Sequence, residues 1–362
     1  MIHLISRRDP VLDSAKGVLI LLVVIGHLLA RTEPPNAEVT KALYAGIYAF
    51  HMPAFVFLAG ITSKPRGILK RCVQFLTLLV VFQTAFYWFR RLMGSDAAFD
   101  WTTPKWLLWF LFSMAVWTLL TPLMAKAPRA SLALSVAISL GAGMIDAVGY
   151  PFSLSRTLVF LPFFVLGFTH GKAVLAYVAG LRTRGRVVIA GLAVVVLGAL
   201  LAWEPGQKWF SGSRGYADLE VSDLSGVGHR IILHVVAAVL AMGLLVLIPR
   251  EPNLLTRYGQ RSLSIYLLHG FAVLVLANYV EDMAANNVWV AMVILVILTA
   301  GIAVLTSMRQ VHHVMGRIGT ALVPLVDRFA APTPVAATTA PTAEPADAAA
   351  RRAAVREQAM HR

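Results

Sequence analysis

Three histidines lie inside long apolar runs of the chain, where ionisable side chains are rare. His27 ends the run LDSAKGVLILLVVIGH, His51 lies in YAFHMPAFVFLAG, and His269 lies in SLSIYLLHG. A neutral imidazole can accept the proton of a hydroxyl, or attack an acyl carbon as a nucleophile. Because an ionisable group facing lipid is costly, we expect these side chains to face a protein interior or a wet cavity.

A lysine shares the helical face of His27. Lys16 precedes His27 by eleven residues, and at ~100° per residue this spacing brings the two side chains within about 20° of each other. It also separates them by roughly 16–17 Å along the helix axis. The first apolar helix therefore carries a cation near one membrane surface and an imidazole deep inside, and we place the chemistry on this face.

His51 and His269 are expected near the membrane midplane, and His27 somewhat nearer the outer face. Three imidazoles from separate helices could thus line one cavity. The alternative for each of them is a histidine that only forms a hydrogen bond between helices. No pair has the H-x-x-x-H or H-x-x-E-H spacing of metal ligands, and no intramembrane carboxylate partner lies in these helices, so no metal site is predicted.

Basic residues cluster where the second apolar segment ends and the third begins. The run KPRGILKRC contains Arg66, Lys70 and Arg71. Together with Lys16, these residues would form a cationic rim able to bind a polyanion such as a nucleotide diphosphate. The alternative is that most of these charges only orient the chain in the membrane.

The composition is that of an all-α, polytopic integral membrane protein. Of 362 residues, 58% are hydrophobic and 14% are charged, and the mean hydropathy is +0.72. A single cysteine, Cys72, excludes an intramolecular disulfide and a multi-cysteine metal site. The net charge of +14 would suggest nucleic acid in a soluble protein. Here the basic residues fall in alternate loops, so we attribute the charge to membrane topology and predict no nucleic-acid partner.

Ten membrane-spanning segments are predicted. Alternate loops are basic, which places these loops and both termini in the cytoplasm. The loops between them are acidic or mixed in sign. The predicted spans are 12–30, 42–61, 70–89, 104–124, 130–148, 156–170, 186–203, 229–248, 261–280 and 287–307.

The chain is predicted to have a transmembrane domain over 1–310, an amphipathic interfacial helix over 311–330 and a disordered Ala/Pro/Thr-rich cytoplasmic tail over 331–362. The longest outer loop, 204–228, is rich in Trp, Phe and Tyr. These rings are expected at a membrane interface, or alternatively at a lip that stacks on a sugar ring.

The same residues carry a family resemblance. The run from Asp13 to His27, with a basic residue eleven positions before a histidine, resembles the first transmembrane helix of the acyltransferase 3 family of membrane O-acyltransferases, which includes fucose 4-O-acetylase-like proteins. FHMPAFVFLAG is similar to the second-helix pattern of that family. LWFLFSM, FLPFFVLG and SLSIYLLHG resemble further landmarks in the expected order, over about 12–310.

The resemblance implies a ten-helix bacterial inner-membrane enzyme that moves an acyl group, usually acetyl from acetyl-CoA, onto a hydroxyl of an extracytoplasmic or polyprenyl-linked glycan. Two departures bear on the donor site. Lys16 stands where many relatives have arginine, which keeps the charge but loses bidentate phosphate recognition. KPRGILKRC is not a regular R-x-x-R arrangement.

We therefore predict an acyl-CoA-dependent O-acetyltransferase that modifies an exopolysaccharide or O-antigen type of glycan. His27 would be its general base or acyl-accepting nucleophile, with His51 and His269 assisting. Lys16, Arg66, Lys70 and Arg71 would bind the CoA phosphates. The alternatives are a proton-coupled transporter or flippase for a lipid-linked sugar, and an enzyme of the same family with a succinyl or other acyl donor. The sequence does not indicate the oligomeric state.

Overall fold

The computed structural model describes residues 9–32, 37–96, 98–284 and 287–330, and within these ranges the regular structure is entirely helical. The α-helices are α1 (Pro10–Thr32), α2 (Ala37–Tyr48), α3 (His51–Thr62), α4 (Ile68–Leu92), α5 (Trp109–Lys126), α6 (Pro128–Gly141), α7 (Leu154–Val159), α8 (Leu161–Gly180), α9 (Thr183–Trp203), α10 (Asp223–Leu247), α11 (Leu254–Gln260), α12 (Ser262–Ala284), α13 (Val288–Thr306), α14 (Arg309–Thr320) and α15 (Val323–Ala330). Five short 3₁₀ turns complete the described regular structure: Trp106–Leu108, Ala142–Met144, Pro151–Ser153, Gln207–Ser211 and Ala217–Leu219.

Eight helical segments of the described chain are long and apolar enough to cross a membrane, which confirms the predicted all-helical, polytopic membrane class. They are Pro10–Thr32, Glu38–Thr62, Ile68–Leu92, Trp106–Lys126, Leu161–Gly180, Thr183–Trp203, Asp223–Leu247 and Val288–Thr306.

The number of spans differs from the ten predicted for two physical reasons. The predicted span 130–148 contains only the 14-residue helix α6 followed by a 3₁₀ turn, and 14 residues reach about 21 Å, short of a ~30 Å hydrocarbon core. The predicted span 261–280 belongs to a bent pair in which α11 and α12 meet at 83°. Counting that pair as one span gives nine.

The described chain divides into two units, of which the first ends at Val323 and the second begins at Pro324. The first unit includes α14, which packs against α4 and α12. Its buried residues are Met315 and Gly319, while Arg309 and Arg317 are exposed. The predicted tail over 331–362 lies outside the described residues, so its disorder stays a prediction.

Helix α1 lies at the centre of the first unit. It packs most extensively against α11 and α12 and also contacts α3 and α13. Its fully buried residues include Ala15, Leu19 and Val24, whereas Lys16 and His27 keep some exposed surface. Helix α1 therefore carries two partly accessible polar side chains within an otherwise packed interior.

We call the two ends of this helical unit the basic end and the aromatic end. Lys16 meets Thr62 at the basic end, where the side chain of Arg250 also donates to the Ala179 carbonyl and Arg261 to the Ser307 carbonyl. At the aromatic end, rings from the ends of other helices and their loops come together, including Tyr44 with Phe210 and Trp209 with His229.

The contact between α1 and α11 depends on small residues. A Cβ atom added at Gly17 would overlap the backbone oxygen of Leu255, and one added at Gly259 would overlap the backbone oxygen of Asp13. The two backbones are therefore close enough for Ser14 and Thr256 to hydrogen-bond at 2.7 Å in the buried interface. This close contact fixes α11 and so the direction in which α12 leaves the bend.

We predict that Gly17→Ala lowers the free energy of unfolding by about 1–3 kcal/mol, because the added methyl group forces two backbones apart. Gly198→Ala on α9 is the matched control, since nothing lies within 4 Å of its added Cβ. Denaturant unfolding of the purified protein in detergent measures both variants. Equal stability of the two would contradict this account of the α1–α11 contact.

Candidate active site

Two of the three predicted histidines meet directly. His27 near the end of α1 and His269 in α12 lie with Nδ1 of His27 2.9 Å from Nε2 of His269. Their rings are nearly parallel, with an interplanar angle of 16° and centroids 5.1 Å apart. Residues separated by 242 positions in the sequence therefore form one hydrogen-bonded pair, which we call the imidazole pair.

The surrounding hydrogen bonds assign the protons of this pair. Nδ1 of His269 lies 3.0 Å from the carbonyl oxygen of Ile265, and because a carbonyl only accepts, this nitrogen must carry a proton. In a neutral His269 ring, Nε2 is then the acceptor, and Nδ1 of His27 donates to it. In a neutral His27 ring, the remaining nitrogen, Nε2, therefore holds an unshared electron pair.

Burial distinguishes the two members of the imidazole pair. His269 is 0% exposed, so its ring reaches nothing but protein. His27 keeps part of its surface accessible, and within the described residues its Nε2 has no hydrogen-bond partner. The pair thus has one buried ring that orients and one accessible ring that can react.

The indole ring of Trp106 lies beside the imidazole pair, 4.8 Å from the His27 ring centroid. Its backbone has a φ of 46°, a left-handed conformation that costs a non-glycine residue of order 1–3 kcal/mol. Gln83, only 3% exposed, fixes the preceding loop: its Nε2 donates to the carbonyls of Asp100 and Thr103, and its Oε1 accepts from the amide of Lys105. These bonds offset the backbone strain and place Trp106 over His27.

His51 occupies a different position from the imidazole pair. Helices α2 and α3 form one span that is broken at Ala49 and Phe50. Nδ1 of His51 donates to the carbonyl of Ile47 at 2.8 Å across this break, and the edge of its ring meets Tyr48, with centroids 4.8 Å apart. His51 lies within electrostatic range of His27 and packs behind Tyr48, whose own ring centroid is 6.5 Å from that of His27.

The predicted phosphate-binding residues lie at the basic end. Nζ of Lys16 is 3.4 Å from Oγ1 of Thr62, at the end of α3. The loop that follows carries Arg66, and both Arg66 and Lys70 are exposed. Arg71 differs from them, because its Nη2 donates to the backbone carbonyls of Lys64 and Arg66 and so fixes the loop.

Sequence reasoning missed three residues near the imidazole pair: Gln83, Trp106 and Arg156. Gln83 and Trp106 resemble ordinary residues of an apolar helix and an interfacial belt, and no spacing ties them to His27. Arg156 was counted within a predicted span, although it lies in the short helix α7 and within electrostatic range of His27. The sequence offered one indication of a site role for Arg156: it is an arginine outside the predicted basic loops. Within the described residues, no three His, Cys, Asp or Glu side chains form a metal-binding group.

The fold and site define a multi-pass membrane protein with a partly accessible imidazole between a basic end and an aromatic end. The chain belongs to the acyltransferase 3 family, whose family model, described as an acyltransferase domain, matches residues 9–308. The first-helix motif and the ordered landmarks of the sequence predicted this family, and the match confirms it.

Curated relatives are nodulation proteins named NolL. One from Mesorhizobium japonicum is 27% identical over 190 residues, which cover 47% of this chain and 49% of the relative. Another from Sinorhizobium fredii is 30% identical over 190 residues, covering 47% of this chain and 50% of the relative. The matched part of this chain thus spans about half the length of these relatives. No solved structure matches the chain significantly.

The hydrogen bonds of the imidazole pair predict that His27 carries its proton on Nδ1. Nitrogen NMR of histidine-labelled protein in nanodiscs would report this tautomer. In His269→Ala, the His27 ring loses its acceptor, so we expect a mixture of tautomers. A His27 ring protonated on Nε2 in the wild-type protein would contradict the assignment.

Proposed function

We propose that the protein transfers an acetyl group from cytoplasmic acetyl-CoA to a hydroxyl of an extracytoplasmic or lipid-linked glycan, of the exopolysaccharide or O-antigen type, at a bacterial inner membrane. The observation that carries the proposal is the hydrogen bond from His27 Nδ1 to His269 Nε2, which leaves Nε2 of His27 unpaired and accessible. Membership of an acyltransferase family supports the reaction class.

In direct transfer, the acceptor hydroxyl attacks the thioester carbonyl while Nε2 of His27 accepts the hydroxyl proton. The tetrahedral intermediate then collapses with loss of the CoA thiolate, which takes that proton back from His27. The products are an O-acetyl ester and CoA with a free thiol. His269 stabilises the imidazolium of His27 during the step, because its Nε2 accepts the hydrogen bond from the Nδ1–H of His27 throughout.

In the second route, Nε2 of His27 attacks the thioester carbon itself, and CoA leaves as its thiolate with the formation of an acyl-imidazole. The sugar hydroxyl then attacks that acyl group, the bond to Nε2 breaks to regenerate neutral His27, and the hydroxyl proton passes through solvent to the CoA thiolate. Both routes need the same unpaired nitrogen, so the geometry supports either. Rapid-quench trapping of a labelled acyl-enzyme in the absence of acceptor distinguishes them.

The donor is proposed to bind at the basic end. Lys16, Arg66 and Lys70 would contact the CoA phosphates, while Arg71 shapes the loop that presents them. The acyl-carrying arm of CoA would then extend toward His27, which lies eleven residues along α1 from Lys16, or roughly 16–17 Å. Donor and acceptor would meet at His27 from opposite sides of the membrane.

The family match favours this enzyme over the transporter or flippase considered from the sequence, because it assigns acyl transfer to residues 9–308, which contain the imidazole pair. The length of the acyl group is a separate question. A succinyl or other acyl donor would bind the same basic end through CoA.

We predict that His27→Ala lowers acetyl transfer by at least 10³-fold, since general acid–base or nucleophilic chemistry loses its reacting atom. The assay follows labelled acetyl from acetyl-CoA to membrane glycan. The control is His313→Ala, an exposed histidine of α14, which should retain full activity. Wild-type activity in His27→Ala would overturn the proposed function.

For the donor site, we predict that Arg66→Gln combined with Lys70→Gln raises the KM for acetyl-CoA about 10- to 100-fold with little change in kcat, because charge-assisted phosphate contacts are lost. The wild-type KM should also rise with ionic strength, and less so in the double variant. The control is Arg91→Gln, at the opposite end of α4. An unchanged KM in the double variant would place the CoA phosphates elsewhere.

A further inference from the structure

An arginine lies near the imidazole pair at the aromatic end, where the sequence predicts loops that are acidic or mixed in sign. Arg156 belongs to α7, which precedes α8. Helix α8 runs from the aromatic end to the basic end. Nε of Arg156 donates to the carbonyl of Ser211 at 3.2 Å, in the loop between α9 and α10. Arg156 is therefore at the side of the protein from which an extracytoplasmic acceptor would arrive.

The guanidinium of Arg156 is surrounded by aromatic rings. Its central carbon is 5.6 Å from the ring centroid of Trp109 and 5.3 Å from that of Tyr150, and a side-chain hydrogen bond joins it to Tyr150. Among the described residues no carboxylate pairs with it. Burial lowers the pKa of Arg156, yet a guanidinium stays protonated at physiological pH. A half-buried cation without a counter-charge is therefore available to bind an anion.

Helix α7 is rigidly fixed by buried hydrogen bonds on both sides of Arg156. Oγ of Ser155 donates to the Gly212 carbonyl at 2.9 Å, and the hydroxyls of Thr157 and Ser113 lie 2.7 Å apart. The chain enters α7 through Phe152 and Ser153, which both have a φ of 51°. Strained backbone of this kind persists where the surrounding structure holds it, so the direction of Arg156 is set in advance.

Arg156 lies within electrostatic range of His27 and of the tyrosines Tyr44, Tyr48 and Tyr266. A second cation, Arg31, lies on the other side, 5.2 Å from the centroid of Trp106. A small pocket of about 40 Å³, lined by Tyr48, Phe160, Trp209 and Phe210 among others, opens at this end; this volume holds water rather than a sugar.

The positive charge continues outward from Arg156. Arg214, which is exposed, lies on the same Tyr150 ring at 5.9 Å from its centroid. A series of guanidinium groups leading from the surface toward His27 favours an anion that enters from the aromatic end. An arginine that only stabilised the negative oxygen formed in the reaction would need no second arginine at the surface.

We propose that Arg156 binds a negatively charged group of the acceptor, so that the protein modifies an anionic, oxyanion-bearing glycan substrate. This inference rests on the proposed function and names its acceptor class. The oxyanion belongs either to the diphosphate of a polyprenyl carrier or to the carboxylate of an acidic sugar, and a guanidinium binds both bidentately. The aromatic rings around it supply faces for stacking on the sugar.

The test measures binding to the full-length protein in nanodiscs, with CoA at saturating concentration so that the donor site is occupied. The probes are farnesyl diphosphate against farnesol, and a disaccharide containing glucuronic acid against its uncharged counterpart. We expect one anionic probe to bind roughly 10- to 100-fold more tightly than its neutral partner, the worth of one or two charge-assisted hydrogen bonds. The probe that is preferred identifies the source of the oxyanion.

Variants separate Arg156 from general surface charge. Arg156→Gln should abolish the preference for the anionic probe, and Arg156→Lys, which keeps the charge but not the forked geometry, should retain part of it. Arg91→Gln is the control, because that guanidinium lies at the same end and pairs with Asp96 at 3.1 Å; it should behave as wild type.

The proposal is overturned if the wild-type protein binds neither anionic probe better than its neutral partner, or if a folded Arg156→Gln keeps the preference. Hydrolysis or transfer of acetyl from acetyl-CoA in the same preparation reports separately on the proposed function. Anion binding through Arg156 without any acetyl transfer would reject the enzyme and leave the anion site standing.

Discussion

One hydrogen bond between two imidazoles fixes the orientation of the His27 ring, on which the proposed chemistry depends. The bond from His27 Nδ1 to His269 Nε2 requires α1 and α12 to stay in fixed register over a contact far apart in sequence. That register depends on the 83° bend between α11 and α12 and on the close backbone contact at Gly17 and Gly259. Without these features, the accessible nitrogen of His27 would have no defined direction.

Apart from Oγ1 of Thr32, the buried side-chain polar atoms of the described residues follow the rule that such atoms find hydrogen-bond partners. His269 and Gln83 use the polar atoms at both ends of their side chains in hydrogen bonds, and Nδ1 of His51 donates to the Ile47 carbonyl. Nε2 of His27 is accessible and has no hydrogen-bond partner among the described residues. Under the proposed function, this nitrogen reacts between a basic end that binds the CoA phosphates and an aromatic end that receives the glycan.

The sequence predicts much of this arrangement, and the remainder depends on tertiary contacts. Hydropathy and helical spacing indicate the membrane class and the shared face of Lys16 and His27, because both are local properties of one helix. They do not show that His269 rather than His51 touches His27, since that depends on how α12 leaves the bend. Gln83, Trp106 and Arg156 are brought to the site by loops, whose courses no periodicity predicts, and the shortness of α6 explains part of the difference in span number.

The central claim is that donor and acceptor meet at His27 from opposite sides of the membrane. Sealed proteoliposomes with acetyl-CoA confined to the basic-end side and membrane glycan on the other side test it most directly. The account predicts O-acetylated glycan on the side opposite to acetyl-CoA, formed by the wild type and not by His27→Ala. Product formed only when both substrates share one side, or formed equally by His27→Ala, would contradict it.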